Sequence, residues 1–270
     1  MSELLTNIPV KYPEYTVSTP QSVKQFTVRS LNVQDEEKLK GSYLSPNQFA
    51  QHINQIIFDC LVKRPDDFKT YDDFVSKLSI KDRDALLYAL YHVTYKDINN
   101  YEIRCGECEN KYDVSLDISK AFSMVGWKAD ENPVPLQDRE FPVKLPISNT
   151  ITAVLKQPTL KAEEVMMSDM LFQSKKNLDV GVELLVIERF EIDKEGAVAE
   201  QKDIIKERDN VFHLYNKLPS RDRKAINKEY AAKLGKYGVE LKVETRCTKC
   251  GAESSTYIDL ITQFFRSLYE

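Results

Sequence analysis

Four of the five cysteines stand in two Cys-x-x-Cys pairs, Cys105/Cys108 and Cys247/Cys250. Thiolates two residues apart on a tight turn can face one ion, and two such turns supply the four-sulfur tetrahedron that zinc prefers. A site closed by four cysteines leaves no open position for water or substrate, so the zinc expected here is structural and supplies on the order of 10 kcal/mol toward folding. The pairs lie much farther apart than in a compact zinc ribbon, so spacing alone leaves two other readings open: a redox dithiol, or cysteines that hold another metal or none. A redox Cys-x-x-Cys normally starts a helix that lowers its thiol pKa. Both of these pairs precede strand-like stretches instead. Arg104, Arg246 and Lys249 flank the thiols and could offset the negative charge of a zinc–thiolate centre, or serve simply as solvated cations.

The surroundings of the two pairs repeat. Glu102, Arg104, Cys105, Cys108, Asp117 and Phe122 match Glu244, Arg246, Cys247, Cys250, Asp259 and Phe264 at one offset, 244 − 102 = 142. Leu116/Ile258 and Ile118/Leu260 keep apolar character at the same offset. Other chemistry has no footing. The phosphate-loop, dinucleotide, Gly-x-Ser-x-Gly and His-Glu-x-x-His patterns are absent. His52, His92 and His213 fall in separate predicted helices, and Asp66-Asp67 and Asp72-Asp73 read as solvated turns. No catalytic residue and no small-molecule substrate is expected.

Composition sets the frame. The chain has 270 residues, 42% of them hydrophobic, a formal net charge of −4 and a pI near 5.6. These values suit a globular protein with no whole-molecule attraction to nucleic acid or anionic lipid. No apolar run reaches the ~20 residues of a membrane span, and Met1 to Leu5 lacks the basic start of an export signal. Paired cysteines without a disulfide framework fit a reducing compartment. The fifth, Cys60, lies in an apolar helical pattern and reads as a small buried hydrophobe.

The elements that must position the sulfurs are legible in outline. Residues 1–30 look extended, with Pro9-Val10-Lys11-Tyr12-Pro13 and then Phe26-Thr27-Val28-Arg29. Ser45-Pro46-Asn47-Gln48 resembles a helix start; Phe49, Ile53, Ile56, Ile57, Cys60 and Leu61 form one apolar face, which Pro65 closes. A second helix is expected from about Lys81 to Tyr95, and a strand over Tyr112–Ile118. Gly126, Asn132, Pro133 and Pro135 mark a linker around the single tryptophan, Trp127, which reads as a ring packed on the parent core. The pattern then restarts. Pro142-Val143-Lys144 echoes Pro9-Val10-Lys11, Glu163-Glu164 echoes Glu36-Glu37, and Asp222-Arg223 echoes Asp82-Arg83. Helices are expected at about 162–176, 179–190, 200–216 and up to Leu234, then the strand Val239–Thr245. Together these echoes predict an α+β fold of two similar halves from a tandem duplication, related by a pseudo-two-fold axis and joined at a shared four-cysteine zinc site. The expected division is an extended arm 1–25, a first half 26–122, a linker 123–140 and a second half 141–270.

From Lys217 to Lys249 there are ten Lys/Arg against four Asp/Glu. A nucleic-acid-binding zinc-ribbon-like protein is therefore one alternative, and a Cys-x-x-Cys thiol oxidoreductase a second; sparse aromatic residues in the basic stretch argue against the former.

One combination is familiar. The helix end Tyr91-x-x-Thr94-Tyr95, the first knuckle, the strand end Asp117-Ile118, Pro142-Val143-x-Leu145-Pro146, Val154-Leu155-Lys156-Gln157-Pro158-Thr159 and Glu163-Glu164 resemble the baseplate hub and hub-assembly proteins of T-even-type contractile-tailed bacteriophages. The closing Cys-x-x-Cys with Asp259-Leu260 and Phe264-Phe265-Arg266 fits the same family, and the similarity covers most of residues 25–270. The resemblance implies a non-enzymatic structural or assembly protein, made in the host cytoplasm and placed in the tail baseplate of the virion. Its implied partners are other hub, wedge or tail-tube proteins, without membrane, nucleic acid or small-molecule substrate.

Overall fold

The computed structural model of the chain describes residues 10–42, 48–95, 99–128, 135–168, 184–194, 202–257 and 261. Helix and sheet are mixed, as the α+β expectation has it. The chain opens with the antiparallel hairpin β1 (Glu14–Ser18) and β2 (Gln25–Arg29), so the sheet begins inside the stretch expected to be an arm. Helix α1 (Val33–Ser42) follows, started by a reciprocal cap. The Asn32 side chain accepts from the Asp35 N–H at 3.0 Å, and the Asp35 carboxylate accepts from the Asn32 N–H at 3.0 Å. Helix α2 (Phe49–Asp59) leads into β3 (Leu61–Lys63), which completes a sheet of order β1-β2-β3. The expected stop at Pro65 is thus corrected. α2 ends at Asp59, because Leu61 and Lys63 pair with β2 before the proline is reached. Ser45, Pro46 and Asn47, its expected start, lie outside the described residues.

Helix α3 (Tyr71–Lys77) starts on a Thr70/Asp73 capping box. Helix α4 (Ile80–Tyr95) is apolar on nearly every side, with Ala85 through Tyr91 all buried, as a helix enclosed by its own protein should be. The hairpin β4 (Asn99–Arg104) and β5 (Lys111–Leu116), the single turn α5 (Ile118–Ala121) and β6 (Phe122–Val125) close the first part. β6 starts at the last residue of the expected first half and runs into the expected linker, where it pairs with the later strand Gly238–Arg246.

The order then recurs. β7 (Glu140–Lys144) and β8 (Ile151–Lys156) form a hairpin, and α6 (Leu160–Ser168) follows with Thr159 accepting from the Ala162 N–H, as Asn32 does for α1. β9 (Ile187–Asp193) and β10 (Lys202–Ile205) complete the antiparallel order β10-β9-β8-β7. Helices α7 (Arg208–Lys217) and α8 (Ser220–Tyr230), the latter running into a π-helical turn at Ala231–Gly235, precede the hairpin β11 (Gly238–Arg246) and β12 (Glu253–Tyr257). Two helix expectations are corrected here. Residues 187–190, expected to end a helix, start β9, and residues 202–205, expected to begin one, form β10. Their short apolar runs satisfy either period, and pairing beside buried β8 decides for strand. The start of the 179–190 segment and the end of the 162–176 segment lie outside the described residues. The Pro-Val-Lys echo is also shifted. Val143 stands in β7 at the place Val17 holds in β1, whereas Val10 precedes β1.

A buried carboxylate grips the hairpin turn in each part. Asp82, in the first turn of α4, accepts from the N–H groups of Gln21 (2.8 Å) and Ser22 (3.2 Å) in the β1–β2 turn. Asp222, in the first turn of α8, accepts from Ile147 (2.8 Å) and Ser148 (3.0 Å) in the β7–β8 turn.

Two hydrophobic cores result. The first gathers Phe26, Ile57, Phe74, Leu86 and Tyr88, and takes in Leu160, Leu241 and Val243 from later in the chain. The second gathers Trp127, Leu155, Phe190, Tyr215 and Ile226. Trp127 is packed as expected, edge-on to Tyr237 at 5.1 Å. α6 ties the two together. The Leu160 N–H donates to the Leu78 carbonyl at 2.9 Å, Glu163 pairs with buried Arg83, and Glu164 accepts from Asn54 (2.9 Å) and the Tyr71 hydroxyl (2.5 Å). A second tie runs through the β1–β2 turn, where the Gln21 amide donates to the Tyr237 carbonyl at 3.0 Å. No helix among the described residues is long and apolar enough to cross a membrane.

Candidate metal centre

Both cysteine pairs sit on hairpin turns with the same geometry. In the first, Arg104 faces Lys111 and Ile103 faces Tyr112; in the second, Arg246 faces Glu253 and Thr245 faces Ser254. The Cys105 N–H donates to the Asn110 carbonyl (2.9 Å), and the Glu109 N–H to the Cys105 carbonyl (3.0 Å). The second turn repeats both bonds, Cys247 to Ala252 at 2.9 Å and Gly251 to Cys247 at 3.0 Å. Each turn needs one left-handed residue: Glu109 at φ 57° and Gly251 at φ 74°.

The turns bring all four sulfurs together, each within 4.8 Å of the others. Cys105 Sγ lies 3.7 Å from Cys250 Sγ, and Cys108 Sγ 3.7 Å from Cys247 Sγ. The two crossed distances are equal, as exchange of the turns about a local dyad requires. They exclude disulfides, whose sulfurs lie about 2.0 Å apart. They match the edge of a zinc–thiolate tetrahedron, which a Zn–S bond of about 2.3 Å sets at about 3.8 Å. Cys105 and Cys247 are buried, Cys108 half-buried and Cys250 exposed.

Protons alone serve this cluster poorly. N–H groups of Cys250 and Lys249, aided by the neighbouring sulfurs, draw the Cys247 thiol down to about 6, against burial. The Ala252 N–H favours a Cys250 thiolate, but the other sulfurs and burial outweigh it and push that thiol up to about 12. One thiolate is thus stabilised at the expense of another, and a divalent cation bound here would let all four ionise together.

Arg104, Arg246 and Lys249 are all exposed, which fits the solvated-cation reading of the three. Arg104 pairs with the Glu109 carboxylate at 2.9 Å, and Arg246 donates to the Gly251 carbonyl at 3.3 Å, so both brace the turns. Lys249 contributes its backbone N–H, 3.4 Å from Cys247 Sγ. The sequence reading missed a bond between the hairpins, Tyr112 to Thr245 at 3.2 Å, and the turn clamps Asp82 and Asp222. Only the Asp-Arg echo hinted at the clamps. His52, His92 and His213 lie on three different helices, α2, α4 and α7. Buried Cys60 stays a thiol: burial pushes it up to about 12.

A comparison with protein families matches residues 12–266 to the T4 bacteriophage base plate protein family. The chain belongs to that family. Searches among curated proteins and among solved structures returned no match. The match runs through both cores and both cysteine hairpins of this base plate protein, so the cluster lies inside the family's own extent. Membership makes the chain a structural protein of a phage base plate, a component of the tail that associates with other base plate or tail proteins.

Proposed function

We propose that this base plate protein is a non-enzymatic, hub-proximal structural or assembly component whose two halves are fastened by one structural zinc held by Cys105, Cys108, Cys247 and Cys250. The observation that carries the reading is the pair of crossed 3.7 Å sulfur contacts between two turns far apart along the chain. A closed four-thiolate site holds its ion without offering it to a substrate, which suits a part whose work is to keep its shape. The two halves are a tandem duplication, 26–122 and 141–270, with 123–140 between them and 1–25 leading in. Supporting this are the repeated element order, the matching hairpin registers, the Asn32/Thr159 caps and the Asp82/Asp222 clamps. The family supports placement in the virion tail, and synthesis in the host cytoplasm is part of the same reading. Both pairs sit on hairpin turns and not at the helix start where a redox Cys-x-x-Cys normally lies.

Metal analysis of purified protein tests the zinc. One zinc per chain is expected, and none in Cys105→Ser/Cys247→Ser. A metal-free wild type would sink the clamp. The hub-proximal role is tested by co-assembly: the wild type should enter purified base plate intermediates, and one that stays apart from every intermediate would contradict it.

A further inference from the structure

Among the described residues, the contact that seats α6 on the first half has no counterpart in the second. Leu160 is fully buried beside Leu78, and Glu163 pairs with Arg83. In the matching order of elements, capped alike by Asn32 and Thr159, Val33 stands where Leu160 does and Glu36 where Glu163 does. Leu218 and Arg223, after the next pair of helices, stand for Leu78 and Arg83. Yet α1 packs on α2 of its own half instead of on α8. Val33 is 73% exposed, more than any other large apolar side chain among the described residues. Arg223 makes no ion pair among the described residues; its guanidinium lies 5.9 Å from the Tyr215 ring and its buried Nε has no hydrogen-bond partner. Leu218 is already packed in the second core, so what stands unmatched is Val33 on one side and the Arg223 guanidinium on the other.

Charge runs in the same sense. α1 carries Glu36 and Glu37 beside Val33, while the start of α8 carries Arg221 and Lys224, both exposed, around Arg223. A contact between unlike surfaces, once repeated, leaves one surface of each kind free at the ends, and such heterologous contacts join copies into rings or open chains.

We propose that a second copy of this chain supplies the missing partner. Val33 and Glu36 at the start of α1 in one copy dock on the Leu218–Lys224 corner of the next, with Glu36 facing Arg223, as Leu160 and Glu163 dock on Leu78 and Arg83 within one chain. In the free chain Glu36 accepts from the Tyr95 hydroxyl at 3.3 Å, which leaves its second oxygen for the arginine. This inference rests on the two-half correspondence of the proposed function.

Sedimentation velocity over a concentration series tests it on the metal-loaded full chain. The wild type should associate reversibly. Val33→Asp, a change on an exposed first helical position, should weaken association by about tenfold or more. Arg223→Glu should do the same, and Glu36→Arg combined with Arg223→Glu should restore it, which a merely structural loss would not. A wild type that stays monomeric at every concentration, alone or while binding only other proteins or nucleic acid, overturns the proposal. So does association that Val33→Asp leaves unchanged. The zinc-to-chain ratio on the same samples reports the clamp separately: one zinc per monomeric chain would retain the proposed function and reject only this contact.

Discussion

Glu109 and Gly251 occupy one place in two copies of a turn, and only one of them is suited to it. A left-handed backbone costs an L-residue about 1–2 kcal/mol, and glycine's extra freedom in the unfolded chain gives part of that back. Glu109→Gly should therefore stabilise the protein by about 0.5 kcal/mol, because the Arg104 pair it loses is exposed and counts for little. Gly251→Ala should destabilise by about 1 kcal/mol. Denaturant midpoints check both, and equal signs would contradict the strain. The two clamp carboxylates differ as well. Burial pushes Asp82 up to about 6 in spite of the N–H groups of Gln21 and Ser22. Burial also opposes the Asp222 charge, but bonds from Ile147 and Ser148 prevail and hold that carboxyl below its ordinary value. Between pH ~4 and about 6 the folded state keeps a proton on Asp82 that the unfolded chain releases. Stability from this group must then fall as pH rises through that window, by on the order of 2–3 kcal/mol. Stability measured against pH for the wild type minus Asp82→Asn should slope downward there; a flat difference would refute it.

Among elements, α6 links the two cores, because it follows β8 of the second core and its Leu160 is buried in the first. Arg83 and Glu163, with side chains 5% and 17% exposed, face each other across that seam. Arg83→Ala leaves the carboxylate without its counter-charge and should cost about 3–5 kcal/mol. Arg83→Met with Glu163→Leu should recover most of it, since the seam then lacks both charges. A double-mutant cycle reads the coupling, and additive single effects would show that the pair does not act as one. What could be foreseen divides along the same lines. The helix expected from about Lys81 to Tyr95, the strand expected over Tyr112–Ile118 and the meeting of the four sulfurs were legible, the first two from local pattern and the third from two like Cys-x-x-Cys pairs. β9 and β10 were not, because Ile187–Phe190 and Lys202–Ile205 owe their conformation to β8, a neighbour that periodicity cannot reveal. Neither was β6, whose partner β11 is more than a hundred residues away. The Pro-Val-Lys echo misled for a related reason: three residues can match by chance, whereas the Asp82 and Asp222 clamps match by what they bind.

At the scale of the whole molecule, the two cysteine hairpins are part of one core and absent from the other. Ile103, Cys105, Tyr112, Leu241, Val243 and Cys247 pack in the first core, and none of them in the second. Chelation should therefore split a single unfolding transition in two. Amides of β4 and β11 should lose hydrogen-exchange protection early, while those of β8 and β9 keep theirs. One cooperative transition with and without chelator would mean that the cores are coupled by other contacts.

The distance along the chain between the sulfur pairs also orders events during synthesis. Cys108 precedes Cys247 by 247 − 108 = 139 residues. At ~5–20 residues per second, the ribosome takes on the order of ten seconds to deliver the second pair after the first. Throughout that interval the nascent polypeptide presents two bare thiols, which grip a cation far less firmly than four. A truncated product halted anywhere in the gap would never complete the proposed cage, so firm retention of an ion would mark out chains that carry both pairs.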